Sequence, residues 1–343
     1  MQRLESIQHK SFARAGCLAG PYAWASQVNP TRHNERSWHE VLSNPEKNLP
    51  IHQYLGFLSC LFGHPPSTSF LFDVATKQDL ADLGLFGRAV VTGETLWESL
   101  QTAKTHIPYL QSDLSLAIRI RSGRCRVEVS HKVASPHAQP QSPTYIVGLL
   151  ANLVQHETEV AARNFIVGFP GAEDEDSSDF AELCKPVTAN LAFVEFDDIG
   201  LKSPMKQADF GNSLILARTL EALSKSADPS PDLARLVQAV LIASFEQTQN
   251  PIKLKSAADV LGIPLRTFQD RLNKEHTTFA EIRSKVRHKL ACAYLLDGLS
   301  IEQTATSLGY AHRQSFSEAF RKWEGMPPSS FKDQGVIGDR MLT

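Results

Sequence analysis

Four arginines, Arg119, Arg121, Arg124 and Arg126, crowd one short stretch of the chain. They could bind an anion or face water, and a solvated face is the expected reading. The run Glu173-Asp174-Glu175-Asp176, followed by Ser177, Ser178 and Asp179, has the oxygen chemistry of a hard-cation site. It lacks the glycine and terminal glutamate of an EF-hand loop and reads as a solvated acidic loop. His52 and His64 stand twelve apart, and His131 and His137 six apart, with no carboxylate at metal spacing. Five scattered cysteines, Cys17, Cys60, Cys125, Cys184 and Cys292, form no CxxC pair. An odd, dispersed set favours reduced thiols in a cytoplasm over a disulfide scaffold or a zinc site. No GxSxG, Walker A, HExxH or GxGxxG occurs. No catalytic residue, metal ligand or cofactor is therefore expected.

A different pattern appears near the C-terminus, where a diverged repeat occurs. The first copy runs from Ser256 to Leu272 and the second from Ser300 to Phe320. Ala258 precedes Gly262 by four residues, as Ala305 precedes Gly309, and Leu261 and Leu308 hold the same place before the glycine. Phe268 and Leu272 match Phe316 and Phe320, with one residue inserted in the second turn. Each copy opens with a capping signal: Ser256 with Asp259, and Ser300 with Gln303. This spacing predicts a helix-turn-helix. The alanine lets the second helix approach, the glycine ends the first helix, and the apolar i, i+4 pair holds the second helix down. The other face of that helix is left free: Leu265, Arg266, Gln269 and Asp270 in the first copy, His312, Arg313, Gln314 and Ser317 in the second. Between the copies, Phe279, Ile282, Val286, Leu290 and Ala293 predict one helix over 279–296, about 27 Å long. A spacer of that length suits two readers in successive major grooves, about 34 Å apart. Arg283 and Arg287 share a face of it and could touch phosphate.

The upstream elements are mixed. The first forty residues carry few periodic signals, and Pro30, His33, Asn34 and Arg36 read as loop. Helices are predicted over 51–61, 95–104 and 145–163. Strict alternation over 116–129, broken by Ser122-Gly123, predicts a β-hairpin with the four arginines on one face. Residues 191–196 read as a strand. Helical periodicity takes over at 208–223 and 231–245. The expected layout is a mixed α/β (α+β) domain over 1–207, a helical connector over 208–250, an all-α domain over 251–332 and a tail over 333–343. With 42% apolar and 21% charged residues, the chain is neither fibrous nor mostly disordered. Its apolar runs are too short for a membrane span, and Arg14, Gly16, Gly20 and Pro21 break any secretory leader.

Charge follows the same division. Residues 1–250 hold 21 Lys+Arg against 27 Asp+Glu, a net of −6. Residues 251–332 hold 13 against 8, a net of +5. A basic module on an acidic body fits a polyanion partner.

Residues 253–332 resemble the C-terminal DNA-binding domain of the AraC/XylS family of bacterial transcription regulators. The resemblance is carried by Ile301 through Gly309-Tyr310, Phe316, Phe320-Arg321-Lys322-Trp323 and Gly325-Met326-Pro327-Pro328 to Phe331. The stretches Gly93–Leu100 and Leu201–Met205, with Ala208-Asp209, resemble parts of the arabinose-binding-like effector domain of some members. The resemblance implies base contacts from Leu265, Arg266, Gln269 and Asp270. Arginine suits guanine and glutamine suits adenine. Asp270 departs from the basic residue frequent there; it could accept from a cytosine amino group or orient Arg266, and pairing with Lys274 is the expected reading. His312, Arg313, Gln314 and Ser317 are the second set, with Arg321 reaching the backbone; Glu318 is again acidic where many relatives are basic. The resemblance also implies a cytoplasmic regulator of promoter or operator DNA, a small-molecule effector, a homodimer and RNA polymerase as a candidate partner. Activators are common among such regulators. Two other readings stand beside it: an enzyme fused to a DNA-binding tail, and a ligand-independent regulator acting by dimerisation and protein contact.

Overall fold

A computed structural model describes residues 12–28, 36–62, 66–132, 140–159, 164–171, 186–225, 231–247 and 252–333. The acidic run at 173–179, His137 and Cys184 lie outside them, as does the tail beyond 333. The chain divides into two compact units, Met1–Ser230 and Pro231–Thr343.

The first unit opens with β1 (Phe12–Arg14), paired antiparallel with β2 (Asn48–Pro50). Between and after them come α1 (Ala19–Val28), α2 (Arg36–Leu42), α3 (Ile51–Phe62), α4 (Thr68–Thr76) and α5 (Leu85–Val91). Helix α2 begins at Arg36, a residue expected in a loop, because Trp38 and Val41 have a core to enter. Buried Arg14 ties this corner together. Its Nε donates to the Tyr109 carbonyl at 2.9 Å, and the Tyr109 hydroxyl donates to Glu46 Oε2 at 2.6 Å.

Helix α6 (Leu96–Leu110) is capped by Thr95, whose side chain accepts from Glu98 N. It runs past the expected end at 104 and contains Pro108. A hairpin follows, β3 (Leu114–Arg121) and β4 (Arg124–His131), turning through Ser122 and Gly123 with φ of 49° and 78°. Helix α7 (Gln141–His156) ends before the expected 163, and its residues from Ser142 to Gln155 are buried. Strands β5 (Ile166–Phe169), β6 (Pro186–Thr188) and β7 (Ala192–Asp197) complete a sheet ordered β3-β4-β7-β5-β6. Among the described residues, β5 and β6 pair parallel and the other pairs of this sheet antiparallel. Helix α7 covers this sheet and packs on α4, which explains its burial on all sides.

The hairpin arginines face one another across β3 and β4, Arg119 opposite Arg126 and Arg121 opposite Arg124. Carboxylates answer three of them, and Arg121 stays exposed without an ion pair among the described residues. Arg119 meets Glu128 at 3.0 Å, Arg124 meets Glu195 at 3.2 Å and Asp197 at 2.8 Å, and Arg126 meets Glu195 at 2.5 Å. This is a half-exposed ion-pair ladder, so the anion-binding alternative has little free charge to use. The stretches 93–100 and 201–209, singled out separately in the sequence, lie side by side. Leu96 N donates to Ser203 O at 3.0 Å, and Met205 N to Glu94 O at 3.2 Å.

The segment expected as a connector is divided between the units. Helix α8 (Phe210–Ser224) packs on α5 and α6 of the first unit. Helix α9 (Leu233–Gln247) belongs to the second, where it buries Leu236, Val237, Val240 and Leu241 against the helices that follow. Those are α10 (Leu254–Leu261), α11 (Leu265–Lys274), α12 (Phe279–Leu296), α13 (Ile301–Ser307) and α14 (Arg313–Glu324). The second unit is all-α over its described residues. Among the described residues, no helix is long and apolar enough to cross a membrane.

Candidate nucleic-acid interface

Helices α10 and α11 form the first helix-turn-helix. Ser256 does not cap it. The N-cap is Lys253, with no side-chain hydrogen bond, and Ser256 sits exposed inside the first turn. Starting the helix earlier lets Ala257 and Ala258 reach full burial at the crossing. Gly262 ends α10 at φ 65°, ψ 27°, and Ile263 N reaches back to Ala258 O at 3.0 Å. This left-handed closure suits glycine, which has no Cβ to clash. Phe268 and Leu272 then face inward, with 0% and 1% of their surface exposed. The phenyl ring of Phe268 lies 6.4 Å from that of Phe279 at the head of α12.

The opposite face of α11 carries Leu265, Arg266, Gln269 and Asp270, all exposed. Asp270 is not set toward Lys274. Its carboxylate lies 4.0 Å from Arg266 Nε, one turn back. An exposed pair this long contributes little to stability. It does bias an otherwise free guanidinium whose side chain is 95% exposed.

Helix α12 is launched by a full capping box. Glu281 N donates to Thr278 Oγ1 at 3.2 Å, and Thr278 N donates to Glu281 Oε2 at 2.9 Å. Threonine with glutamate three residues later, before an apolar run, is the sequence signal of this cap. Its two arginines are not equivalent. Arg283 is half-buried with its guanidinium 5.7 Å from the Phe279 ring centroid. Arg287 lies over the Tyr310 ring at 4.7 Å. Burial lowers Arg287 from its ordinary value, and the nearby charge of Arg283 adds to this, while Tyr310 opposes it. Arg287 thus packs the spacer helix against the second turn.

The second helix-turn-helix repeats the design. Ser300 and Gln303 make the capping box expected of them, with Gln303 N to Ser300 Oγ at 3.1 Å and Ser300 N to Gln303 Oε1 at 2.9 Å. Gly309 has φ 71°, and Tyr310 N returns to Ala305 O at 2.9 Å. Phe316 and Phe320 are fully buried, their rings 5.8 Å apart. His312, Arg313, Gln314 and Arg321 are exposed. Ser317 is half-buried, and its hydroxyl donates to the Arg313 carbonyl at 3.0 Å. Gln314 Nε2 approaches Glu318 Oε1 at 3.5 Å.

Between α5, α6, β3 and α7 the first unit holds a narrow crevice with about 20 Å³ of free room, space for about one water-sized sphere. Phe86, Val90, Ile107, Leu116, Leu150 and Leu153 are among its walls, and every lining residue is apolar. No sequence signal marked it, because each of these residues also reads as ordinary core.

Two short helices closed by a left-handed glycine, twice, on one spacer helix define a DNA-binding transcription regulator. Residues 257–334 match the helix-turn-helix domain family, and this part of the chain is a helix-turn-helix domain of the AraC type. An HTH-type transcriptional regulator of Mycobacterium tuberculosis is 25% identical over 288 residues, covering 79% of this chain and 80% of that one. The ornithine utilization regulator of Pseudomonas aeruginosa is 23% identical over 302 residues, covering 86% and 87%. The crystal structure of the transcriptional regulator CdpR from Pseudomonas aeruginosa aligns over 91% of this chain and 96% of its own, at 20% identity and a TM-score of 0.40. The chain is a DNA-binding transcription regulator.

Proposed function

We propose that the chain reads promoter DNA with two helix faces and is governed by an apolar effector held in its first unit. The observation that carries the DNA reading is the division of α11 and α14. Phe268, Leu272, Phe316 and Phe320 are spent on the core, which frees the polar faces. Leu265, Arg266, Gln269 and Asp270 read one major-groove segment. His312, Arg313, Gln314 and Ser317 read the other, with Arg321 and Arg283 on the backbone. The test is a gel-shift titration of the full chain on promoter-derived duplexes. Binding should weaken steeply with salt through counterion release. Absence of binding at low salt on every promoter fragment would defeat the reading.

The apolar crevice of the first unit has room for only about one water-sized sphere, so an effector must part its walls to enter. Walls without a hydrogen-bonding side chain favour a small apolar molecule and penalise a sugar or a free amino acid, whose polar groups would go unpaired. If such a molecule favours one arrangement of the units, DNA must change its affinity by the same factor that it changes DNA affinity. Calorimetry of an identified ligand with and without operator DNA measures this; equal affinities would leave the first unit a dimerisation module. Homodimerisation through residues 1–207 would pair half-sites and place the regulator beside RNA polymerase in the cytoplasm. Sedimentation of the full chain across concentrations tests it.

A further inference from the structure

We propose that His288, Cys292 and Glu324 form a binding site for a borderline-soft divalent metal ion of the Zn²⁺ class, pinning the end of α14 to the spacer helix α12. His288 and Cys292 stand four residues apart, one turn along the same face of α12. Glu324 is the last residue of α14. One ligand atom from each lies within 4.8 Å of the others. His288 Nε2 is 2.5 Å from Glu324 Oε1, and Cys292 Sγ is 3.7 Å from the same oxygen.

An imidazole, a thiol and a carboxylate are a donor set that zinc accepts, with bonds of about 2.0–2.3 Å. Tetrahedral geometry then puts donor atoms about 3.4 Å apart. The sulfur–oxygen distance is already close to that. The nitrogen–oxygen distance must open by about 1 Å, which rotation of the half-exposed Glu324 side chain supplies. A water completes four-coordination.

The surroundings hold the imidazole in place. The His288 ring stacks on Trp323, with centroids 5.3 Å apart and planes 28° from parallel. Trp323 Nε1 donates to Ser284 Oγ at 3.0 Å, and Ser284 is one turn before His288. Outer contacts of this kind fix the orientation of metal-bound histidines. Binding forms the sulfur–metal bond, releases the thiol proton to solvent and changes no oxidation state.

The test is a Co²⁺ titration of the full chain. A thiolate-to-cobalt charge-transfer absorption should saturate at one equivalent and vanish on adding Zn²⁺. Cys292→Ser should abolish it, while Cys60→Ser and Cys184→Ser should keep it. His288→Gln and Glu324→Gln should each weaken Co²⁺ binding at least about 100-fold, the upper end of what loss of an outer contact costs. Zn²⁺ should raise the wild-type melting midpoint and leave that of Cys292→Ser unmoved. Should Cys292→Ser fail to fold by circular dichroism, the histidine and glutamate variants decide through Co²⁺ affinity alone. A wild-type chain with no band, or a band that survives loss of Cys292, or His288 and Glu324 variants with unchanged affinity, would overturn the site.

Discussion

Replacing Arg287 with alanine separates two roles that the sequence alone could not. A phosphate contact would leave folding intact and remove one released counterion, lowering the slope of log K against log salt by about 0.9. The geometry argues for the other role. The guanidinium lies over Tyr310 at 4.7 Å and is half-buried, and its Nε is buried with no hydrogen-bond partner. A partly desolvated cation–π contact is worth about 0.5–2 kcal/mol, and packing of the aliphatic stem adds to it. Removing the unsatisfied Nε returns part of this, since such groups cost about 1–3 kcal/mol. The expected net loss is about 1 kcal/mol, or roughly 4 °C in melting midpoint for a unit of this size. Thermal unfolding of the full chain, followed by circular dichroism, reads the first quantity. Fluorescence anisotropy on promoter DNA across a salt series reads the second. An unchanged midpoint together with a slope lower by about 0.9 would refute the stacking role.

Arg266→Ala should leave the melting midpoint unchanged, because its side chain is almost wholly exposed. It should cost about 1–3 kcal/mol on the cognate site and relax one base pair in a binding-site selection. Arg283→Ala should weaken all duplexes alike, so a shifted base preference in that variant would move it to the reader set. Ser300→Ala should destabilise by about 0.5–2 kcal/mol in urea unfolding, with Ser300→Thr close to wild type; equal losses in both would show that the capping box is idle. Burial pushes the Asp113 pKa upward, but the hydrogen bonds and charge of His131, with Gln111, outweigh it and leave that pKa below the ordinary value. Its contribution is therefore full above the unfolded-chain value of about 4 and fades as pH falls through the lower folded value. The stability difference between wild type and Asp113→Asn should shrink on acidification, and a difference constant down to about pH 2 would discredit the linkage.

The helix-turn-helix units were legible because their constraints are local. Gly262 and Gly309 each stand four residues after an alanine and six or seven before a phenylalanine, and one kind of turn satisfies all three. The hairpin was legible for the same reason, through alternation and Ser122-Gly123. Where tertiary contacts decide, the sequence was silent or misleading. Ser256 reads as a cap, yet buried Ala257 and Ala258 draw the helix start back to Leu254. Asp270 has Lys274 four residues ahead and Arg266 four behind, and periodicity does not choose between them. Helix α9 reads as a connector because its partners, α10 to α12, lie downstream of a proline. His288 and Cys292 carry a metal-like spacing only once Glu324, more than thirty residues on, is folded against them.

The carboxylate of Glu275 bears on how such regulators can be cut and rejoined. Glu275 is the residue that closes α11. Its two oxygens accept from the backbone of Leu233 at 3.1 Å and of Ala234 at 2.8 Å, at the start of α9. The first turn of the helix that follows the inter-unit link is thus latched onto the end of the first reader helix. A chimaera joined at residue 250, where the charge changes, would discard that latch together with α9 and uncover the apolar surface of α10 to α12 on which Leu236, Val237 and Val240 pack. A splice at 226–230 would carry the latch along, and any tension transmitted by a new sensor would arrive at Leu233 and pass through Glu275 to the reader.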